Sequence, residues 1–179
     1  LGPTGLVRGK VPYPVQLPAG PGGTQVSFRS VESGQTFQAY LIHSSAGQVS
    51  GIVPSDVPLG FAEVRVSYAG LESDLTLVQV VETWPGLFTV SESGRGPAVA
   101  QNYESAVSQT LNSLTHPAAP GQYLILWGTG LGPIDGPDNI APPVGNVRDD
   151  VIVRFRSNAG TVDVPAEYAG RAPGFPGVD

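Results

Sequence analysis

Short apolar runs separated by turns rich in Pro and Gly dominate the hydrophobic pattern of the chain. Residues 61–68, FAEVRVSY, place Phe, Glu, Arg and Ser on one face and Ala, Val, Val and Tyr on the other, which is the period of a half-buried strand. Short strands at regular spacing with turn signals between them indicate an all-β sandwich with little or no helix. The other predicted strands cover residues 24–29, 36–42, 48–53, 75–81, 97–102, 151–156 and 166–169.

Two further stretches have patterns of their own. Tyr123 to Trp127 is the most apolar short run of the chain, bounded by Pro120-Gly121 and by Gly128. A run of bulky residues without a polar break predicts a strand buried on both faces. Residues 105–114 carry three apolar side chains at helical spacing but have no cap and little length, so a helix there stays open as an alternative.

Several short blocks recur in the same order after about 130 residues. This recurrence favours a duplication, with chance similarity of two β-rich segments as the alternative. We therefore expect two immunoglobulin-like units in tandem, residues 1–83 with a Pro-rich N-terminal arm and residues 84–179, which lack their last strands. Trp84 is predicted to plug the junction. The matched pairs are Leu1-Gly2-Pro3 with Leu131-Gly132-Pro133, Pro14-Val15 with Pro143-Val144, Val26–Ser30 with Val153–Ser157, and Ala39-Tyr40 with Glu167-Tyr168.

Composition and charge narrow the function classes. The 179 residues carry a formal net charge of −6, which argues against nucleic acid and anionic membrane as partners. No apolar run approaches the length of a membrane span. The chain has no Cys, which excludes disulfides and thiolate sites, and no Met, which predicts a processed product or an excised segment.

Five blocks between Trp84 and Val178 together carry a family resemblance. In order and spacing they resemble an uncharacterised immunoglobulin-like C-terminal module of Solibacter and related acidobacterial surface proteins. Residues 53–60, VPSDVPLG, followed by an alternating strand, are similar to the last hairpin of IPT/TIG-type domains. The resemblance implies a secreted or cell-surface β-sandwich without known catalytic residues. The blocks are Trp84–Val90, Gly94–Asn102, Pro117–Gly121, Trp127–Pro133 and Val164–Val178.

Candidate catalytic and cofactor motifs are weak. Residues 128–132, GTGLG, follow a strand, but Pro133 stands where a dinucleotide fingerprint needs its third Gly, and no P-loop Lys is present. His43 and His116 are the only histidines and no nucleophile elbow occurs, so both are interpreted as turn or surface residues. Two histidines without Cys make a poor zinc set. We expect no enzyme, no cofactor and no metal.

Two ligand sites remain conceivable. The loop 134–150 carries four aspartates that offer oxygen ligands to Ca²⁺, but without the spacing of an EF-hand loop, and solvated loop acids are the favoured interpretation. Four aromatic residues offer a sugar-stacking platform, although Trp127 is better explained as core. The aspartates are Asp135, Asp138, Asp149 and Asp150, and the aromatic residues are Tyr13, Trp84, Tyr103 and Trp127.

The expected function is that of a non-enzymatic structural or adhesive module of an extracellular or cell-surface protein, which associates with itself or with other surface proteins. The alternative is a carbohydrate- or protein-binding accessory module of a larger exported chain. A unit that lacks strands leaves an open edge, and donation of the arm, residues 1–17, to a neighbouring copy is expected to fill it and to join copies into a filament. The predicted interface consists of Leu6, Val11, Tyr13, Val15, Tyr123, Leu124, Ile125, Leu126 and Trp127.

The repeat also makes a packing prediction. Phe28 and Phe155 occupy matched positions in the two V-x-F-R-S segments, so both rings are expected to point into cores. Truncation of either ring to Ala is expected to cost about 3–5 kcal/mol.

Overall fold

The computed structural model describes residues 2–179 and confirms an all-β chain, with no helix among these residues. All strand pairings are antiparallel. The strands are β1 Val7–Arg8, β2 Gln25–Ser30, β3 Thr36–Gln38, β4 Tyr40–Ser44, β5 Val49–Ile52, β6 Gly60–Tyr68, β7 Leu71–Glu72, β8 Thr76–Val80, β9 Gly86–Leu87, β10 Ala100–Ser105, β11 Ser108–Leu111, β12 Leu124–Leu126, β13 Gly128–Thr129, β14 Ile152–Ser157 and β15 Gly160–Pro165.

The first eight strands form a sandwich of two sheets. One sheet has the order β3-β2-β6, with β7 and β8 both paired to the far side of β6, and the other has the order β1-β4-β5. Alternation along β6 pairs Val64 with Phe28 and Val66 with Val26 of β2. These apolar side chains share one face of the sheet because directly opposed residues of an antiparallel pair point the same way.

The core of this sandwich lies between the two sheets. Leu17, Ala39 and Leu41 are buried, and Val7, Val26, Phe28 and Val49 pack against them. A polar pair completes it: the hydroxyls of Thr24 and Ser44, both fully buried, are 2.7 Å apart. Each hydroxyl thereby satisfies the other, as buried polar groups require.

The predicted strand over residues 36–42 is divided in two. Residues Thr36–Gln38 belong to the sheet of β2, whereas Tyr40–Ser44 belong to the opposite sheet. Buried Ala39 forms the crossing point. A strand that changes sheets at a corner is a regular feature of sandwiches, and a single apolar pattern does not reveal it because both halves are half-buried.

The N-terminal arm lies against its own sandwich. Val7 and Arg8 pair with Ser44 and His43 of β4, and the Leu41 N–H donates to the Pro14 carbonyl at 2.7 Å. Residues 2–17 are therefore held within the chain, and the expected donation of this arm to a neighbour would require these bonds to break. Leu1 lies outside the described residues.

The strands after residue 84 form three small sheets of their own, with orders β13-β9, β11-β10-β12 and β14-β15. The C-terminal segment pairs with β13 of the β13–β9 sheet, because Gly128 and Asp179 exchange backbone hydrogen bonds of 2.9 and 3.0 Å. A buried ion pair between Arg171 and Asp179 accompanies this pairing, and Arg171 also donates to the Gly132 carbonyl at 2.7 Å.

Two predictions for this part of the chain are wrong, and one open alternative is excluded. Residues 105–114 do not form the alternative helix, because they form the turn and second strand of the β10–β11 hairpin, and Val107 at the turn is fully exposed. Tyr123–Trp127 is half-buried at the edge of its sheet rather than buried on both faces, and Tyr123 is 58% exposed. Residues 166–169 form no strand, and the strand in this region is β15.

The loop 134–150 packs on the first sandwich. The Asp138 carboxylate accepts hydrogen bonds from the Ser55 N–H at 2.8 Å and from the Ser55 hydroxyl at 2.6 Å. Asn139 exchanges hydrogen bonds with the Tyr13 backbone at 2.8 and 3.2 Å, and Arg148 forms a salt bridge with Glu82 at 3.4 Å. The loop thus connects the two parts of the chain in three places.

Candidate functional site

The most exposed regular element with an apolar face is the β14–β15 hairpin. Its strands pair only with each other within residues 2–179. The register sets Val153 opposite Val164 and Phe155 opposite Val162, so these four side chains share one face, here called the apolar hairpin face. Phe155 is 41% exposed and Val162 is 62% exposed. An isolated two-stranded hairpin is marginally stable in water, which makes an uncovered apolar face on it a candidate contact surface.

Phe155 therefore does not point into a core, contrary to the prediction from the repeat. Its counterpart Phe28 is half-buried and packs against the core of the first sandwich. The difference arises from the neighbours, because β2 is paired on both edges by β3 and β6, whereas β14 is paired on one edge by β15.

The opposite face of the hairpin carries charged and polar side chains together with Ile152 and Pro165. Arg154 donates two hydrogen bonds of 2.7 Å to the two carboxylate oxygens of Asp163, the bidentate geometry that makes an arginine–carboxylate pair strong. These hydrogen bonds lower the pKa of Asp163. Arg156 lies two residues further along and has no side-chain hydrogen bond or salt bridge among residues 2–179.

An open apolar groove lies beside the β10–β11–β12 sheet. One part has a volume of about 500 Å³ and another about 320 Å³. The two parts share Phe88 and Val99. The groove is walled by Leu87, Phe88, Val90, Val99, Leu111 and Trp127.

Trp127 is the residue of the predicted interface that the groove includes. Its ring meets Phe175 edge to face, with centroids 6.3 Å apart, and its indole N–H donates to the Gln101 side chain at 2.6 Å. The first contact ties the ring to the C-terminal segment, and the second ties it to β10. Trp127 is half-buried and forms part of the groove wall, so it is not the core residue that the sequence predicts.

The other residues predicted for the interface lie in two separate places. Leu6, Val11 and Val15 are exposed on the arm, and Tyr13 is half-buried beside the loop 134–150. Leu124, Ile125 and Leu126 are half-buried in β12. No hydrogen bond or strand pairing among residues 2–179 joins the arm to β12.

Trp84 does not fill the junction between residues 1–83 and 84–179, contrary to the prediction from the sequence, because its side chain is 81% exposed. Its backbone N–H donates to the Gly130 carbonyl at 2.9 Å, so the backbone is fixed while the indole faces solvent. A large aromatic ring held in water is the feature that a sugar-stacking surface needs.

The candidate catalytic histidines lie in different parts of the chain, His43 in β4 and His116 in an isolated β-bridge with Ser113. His43 Nε2 lies 3.3 Å from the Ser50 hydroxyl, and His116 Nδ1 lies 3.1 Å from the Thr115 hydroxyl. A nucleophile triad needs a carboxylate on the imidazole, and no carboxylate hydrogen bonds to either ring among residues 2–179. The same residues contain no group of three or more His, Cys, Asp or Glu side chains placed to hold a metal ion.

The four loop aspartates do not converge. Asp138 is buried against Ser55, Asp149 accepts from Asn146 at 3.0 Å, and Asp150 accepts from Arg148 at 3.2 Å. The interpretation of Asp138 as a solvated loop acid is wrong, because its carboxylate connects the two parts of the chain.

Sequence reasoning missed the β15 strand and with it the amphipathic hairpin. The signal was present, because residues 160–165, GTVDVP, alternate two valines with polar residues after the two-residue turn Asn158-Ala159. Two strands separated by two turn residues predict a hairpin.

Comparison of the chain with known protein-family models, with curated proteins and with solved structures found no match. Among the described residues there is also no helix with the length and apolar character needed to cross a membrane.

Proposed function

We propose that this chain is a non-enzymatic structural or adhesive module that works through contacts between polypeptides, including copies of itself. The observation that carries the proposal is the apolar hairpin face. The hairpin has four apolar side chains on one face and a bidentate ion pair on the other. This arrangement is typical of a sheet whose apolar face is covered by a partner.

The groove supports the same function. Its walls are mostly apolar, and the strand β12, which ends directly before the wall residue Trp127, is paired on one edge only within the described residues. Unpaired edges next to apolar surfaces are the places where one chain adds a strand to another.

We place this module in an extracellular or cell-surface protein. The support comes from the sequence, in the resemblance of its five blocks to acidobacterial surface modules. The negative net charge fits a protein partner better than nucleic acid.

Sedimentation velocity of the purified chain over a wide concentration range tests the proposal. We expect reversible oligomers whose proportion rises with concentration and persists in high salt, because burial of apolar surface is not screened. A strictly monomeric chain that also binds no surface protein would contradict it.

A second function is supported by the exposure of Trp84. A carbohydrate-binding accessory module would retain polysaccharide by stacking sugar rings on this indole. Affinity electrophoresis in gels containing soluble polysaccharides tests this function. Retardation that disappears in the Trp84→Ala variant, but not in the Trp127→Phe variant, would support carbohydrate binding, and equal mobility with and without polysaccharide would exclude it for the sugars used.

A further inference from the structure

The outer edge of β14 is an unpaired strand edge with a defined hydrogen-bond register. The two-residue turn Asn158-Ala159 makes Ser157 and Gly160 a hydrogen-bonded pair, and the Ala166 N–H donates to the Val151 carbonyl at 2.9 Å. Odd-numbered residues of this strand therefore bond to the β15 side. The backbone groups of the even-numbered residues point away from β15 and have no backbone partner within residues 2–179. These residues are Ile152, Arg154 and Arg156.

The strand β2, whose sequence matches that of β14, shows which residues a strand paired to such an edge presents. Along β2, Val26, Phe28 and Arg29 lie opposite Val66, Val64 and Glu63 of β6. Arg29 and Glu63 also form a salt bridge at 3.1 Å. The partner strand thus presents the pattern acid, Val, any residue, Val to the V-x-F-R segment.

The chain contains this partner pattern a second time, at the start of β14. Residues Asp150–Val153 read DVIV, where residues Glu63–Val66 of β6 read EVRV. The β14 segment therefore carries both the V-x-F-R pattern of β2 and the acid-Val-x-Val pattern of the strand that pairs with β2. Such a segment is complementary to itself in antiparallel orientation, which is the requirement for a two-fold interface.

We propose that the outer edge of β14 binds the same edge of a second copy, in the register that sets Asp150 of each copy opposite Arg156 of the other. This register pairs Val151 with Phe155 of the second copy twice and Val153 with Val153 on the two-fold axis. The three pairs reproduce the acid–Arg, Val–Phe and Val–Val pairs that β6 makes with β2. Asp150 is exposed and bonded in its own chain only to Arg148, so its second oxygen is available to the other copy.

Neighbouring registers are unfavourable. A shift by two residues in one direction sets Arg154 opposite Arg154. The opposite shift sets Arg148 opposite Arg156 and sets Asp150 opposite Arg154, whose guanidinium is already bound to both oxygens of Asp163. Like charges directly opposite each other destabilise a sheet. The β15 edge is less suitable, because Pro165 offers no N–H to an outer neighbour. The product is a four-stranded sheet with one continuous apolar face.

The inference rests on the proposed self-association and names its contact. It is tested on the full chain with an engineered cysteine, since the chain has no other. In the proposed register residue 153 forms a non-hydrogen-bonded pair with its symmetry mate, with Cα atoms about 4.5 Å apart, within the range of a disulfide. Val153→Cys should therefore oxidise to a covalent dimer. The control Val164→Cys lies on the outer strand, about 14 Å from its mate across three strand spacings, and should form no covalent dimer under the same mild oxidation.

Sedimentation velocity of charge variants completes the test. Arg156→Asp places two acids opposite each other twice and should weaken dimerisation at least about tenfold. The matched control Arg95→Asp, in an exposed turn, should leave it unchanged.

Three results would overturn the inference and leave the proposed function standing. The first is an oligomer that is insensitive to Arg156→Asp, and the second is a dimer of the Val153→Cys variant that does not cross-link. A monomer that instead binds a synthetic peptide of residues 60–68 would show that the edge takes a strand from another polypeptide and would also overturn it.

Discussion

The Asp138 carboxylate holds Ser55 by two hydrogen bonds, one from the backbone N–H at 2.8 Å and one from the hydroxyl at 2.6 Å. The two residues are 83 positions apart in sequence. The Ser55 hydroxyl oxygen in turn accepts from the Ile134 N–H at 3.1 Å, so the serine is bonded to both ends of a short loop segment.

Loss of this contact should destabilise the chain. Asp138→Ala leaves the half-buried Ser55 N–H and hydroxyl without their acceptor, and we expect a loss of about 1.5–3 kcal/mol in the free energy of unfolding, the range for hydrogen bonds to a charged group. Urea denaturation measures it. The control Asp135→Ala removes an exposed acid from the same loop and should stay within about 0.5 kcal/mol; equal effects of the two variants would refute the assignment.

The buried hydroxyl pair of the first sandwich gives a second prediction. Ser44→Ala leaves the Thr24 hydroxyl buried without a partner, which should cost about 1–3 kcal/mol. Combining it with Thr24→Val removes both polar groups, so the double variant should lose clearly less stability than the sum of the single variants. A double-mutant cycle by chemical denaturation measures the coupling, and strict additivity would argue against the bond.

The Arg154–Asp163 pair makes a prediction about pH. Hydrogen bonds from Arg154 lower the pKa of Asp163 in the folded chain. A lowered folded-state pKa means that the pair stabilises the fold above the ordinary aspartate pKa, and that this contribution is lost as the pH falls through the lowered value. NMR titration should show the Asp163 pKa rise towards its ordinary value in Arg154→Gln. The Arg156→Gln variant, which alters no bond to Asp163, should leave that pKa unchanged.

The turn between β6 and β7 offers a stabilising change. Ala69 has a φ of 51° and is followed by Gly70 at 79°, and this two-residue turn connects the paired residues Tyr68 and Leu71. Asn tolerates the left-handed region better than Ala, so Ala69→Asn should raise the free energy of unfolding by about 0.5–1 kcal/mol. Thermal unfolding tests it. The exposed loop variant Ala46→Asn should have no comparable effect.

The two matched phenylalanines should respond differently to truncation. Phe28→Ala removes a ring packed on the core of the first sandwich and should cost about 3 kcal/mol, the lower end for a buried ring. Phe155→Ala removes a ring that is 41% exposed and should cost the dilute monomer less than about 1 kcal/mol. Chemical denaturation at low protein concentration measures both losses. Equal values would mean that the ring of Phe155 is covered within a single chain.

The sequence predicts strands well where one face of the strand meets the core and the other does not. The alternation over residues 61–68 predicts β6 because Val64 and Val66 share the core side of the sheet with Phe28 and Val26 of β2. The segment of β2 is predicted for the same reason. The change of sheet at Ala39 is not visible, because the apolar pattern continues unbroken across the corner.

Burial is harder to predict, because it depends on what lies opposite. Phe28 and Phe155 stand in the same V-x-F-R-S sequence, yet only Phe28 has a second sheet above it. Trp84 and Tyr123 show the same limit, since their residue types suggest a core and the structure exposes both. Candidate contact surfaces can therefore be identified only from the three-dimensional arrangement of the sheets.

The loop 134–150 has a mechanical consequence. It bonds to Tyr13 and Ser55, which lie before the connection at residues 81–85, and to Glu82 within that connection. Its own ends join the later strands β13 and β14. Bending at that connection would have to break several of these bonds together, so the loop restrains the two parts of the chain relative to each other. A protein built from modules restrained in this way would resist bending, and each hairpin would keep a fixed direction under tension.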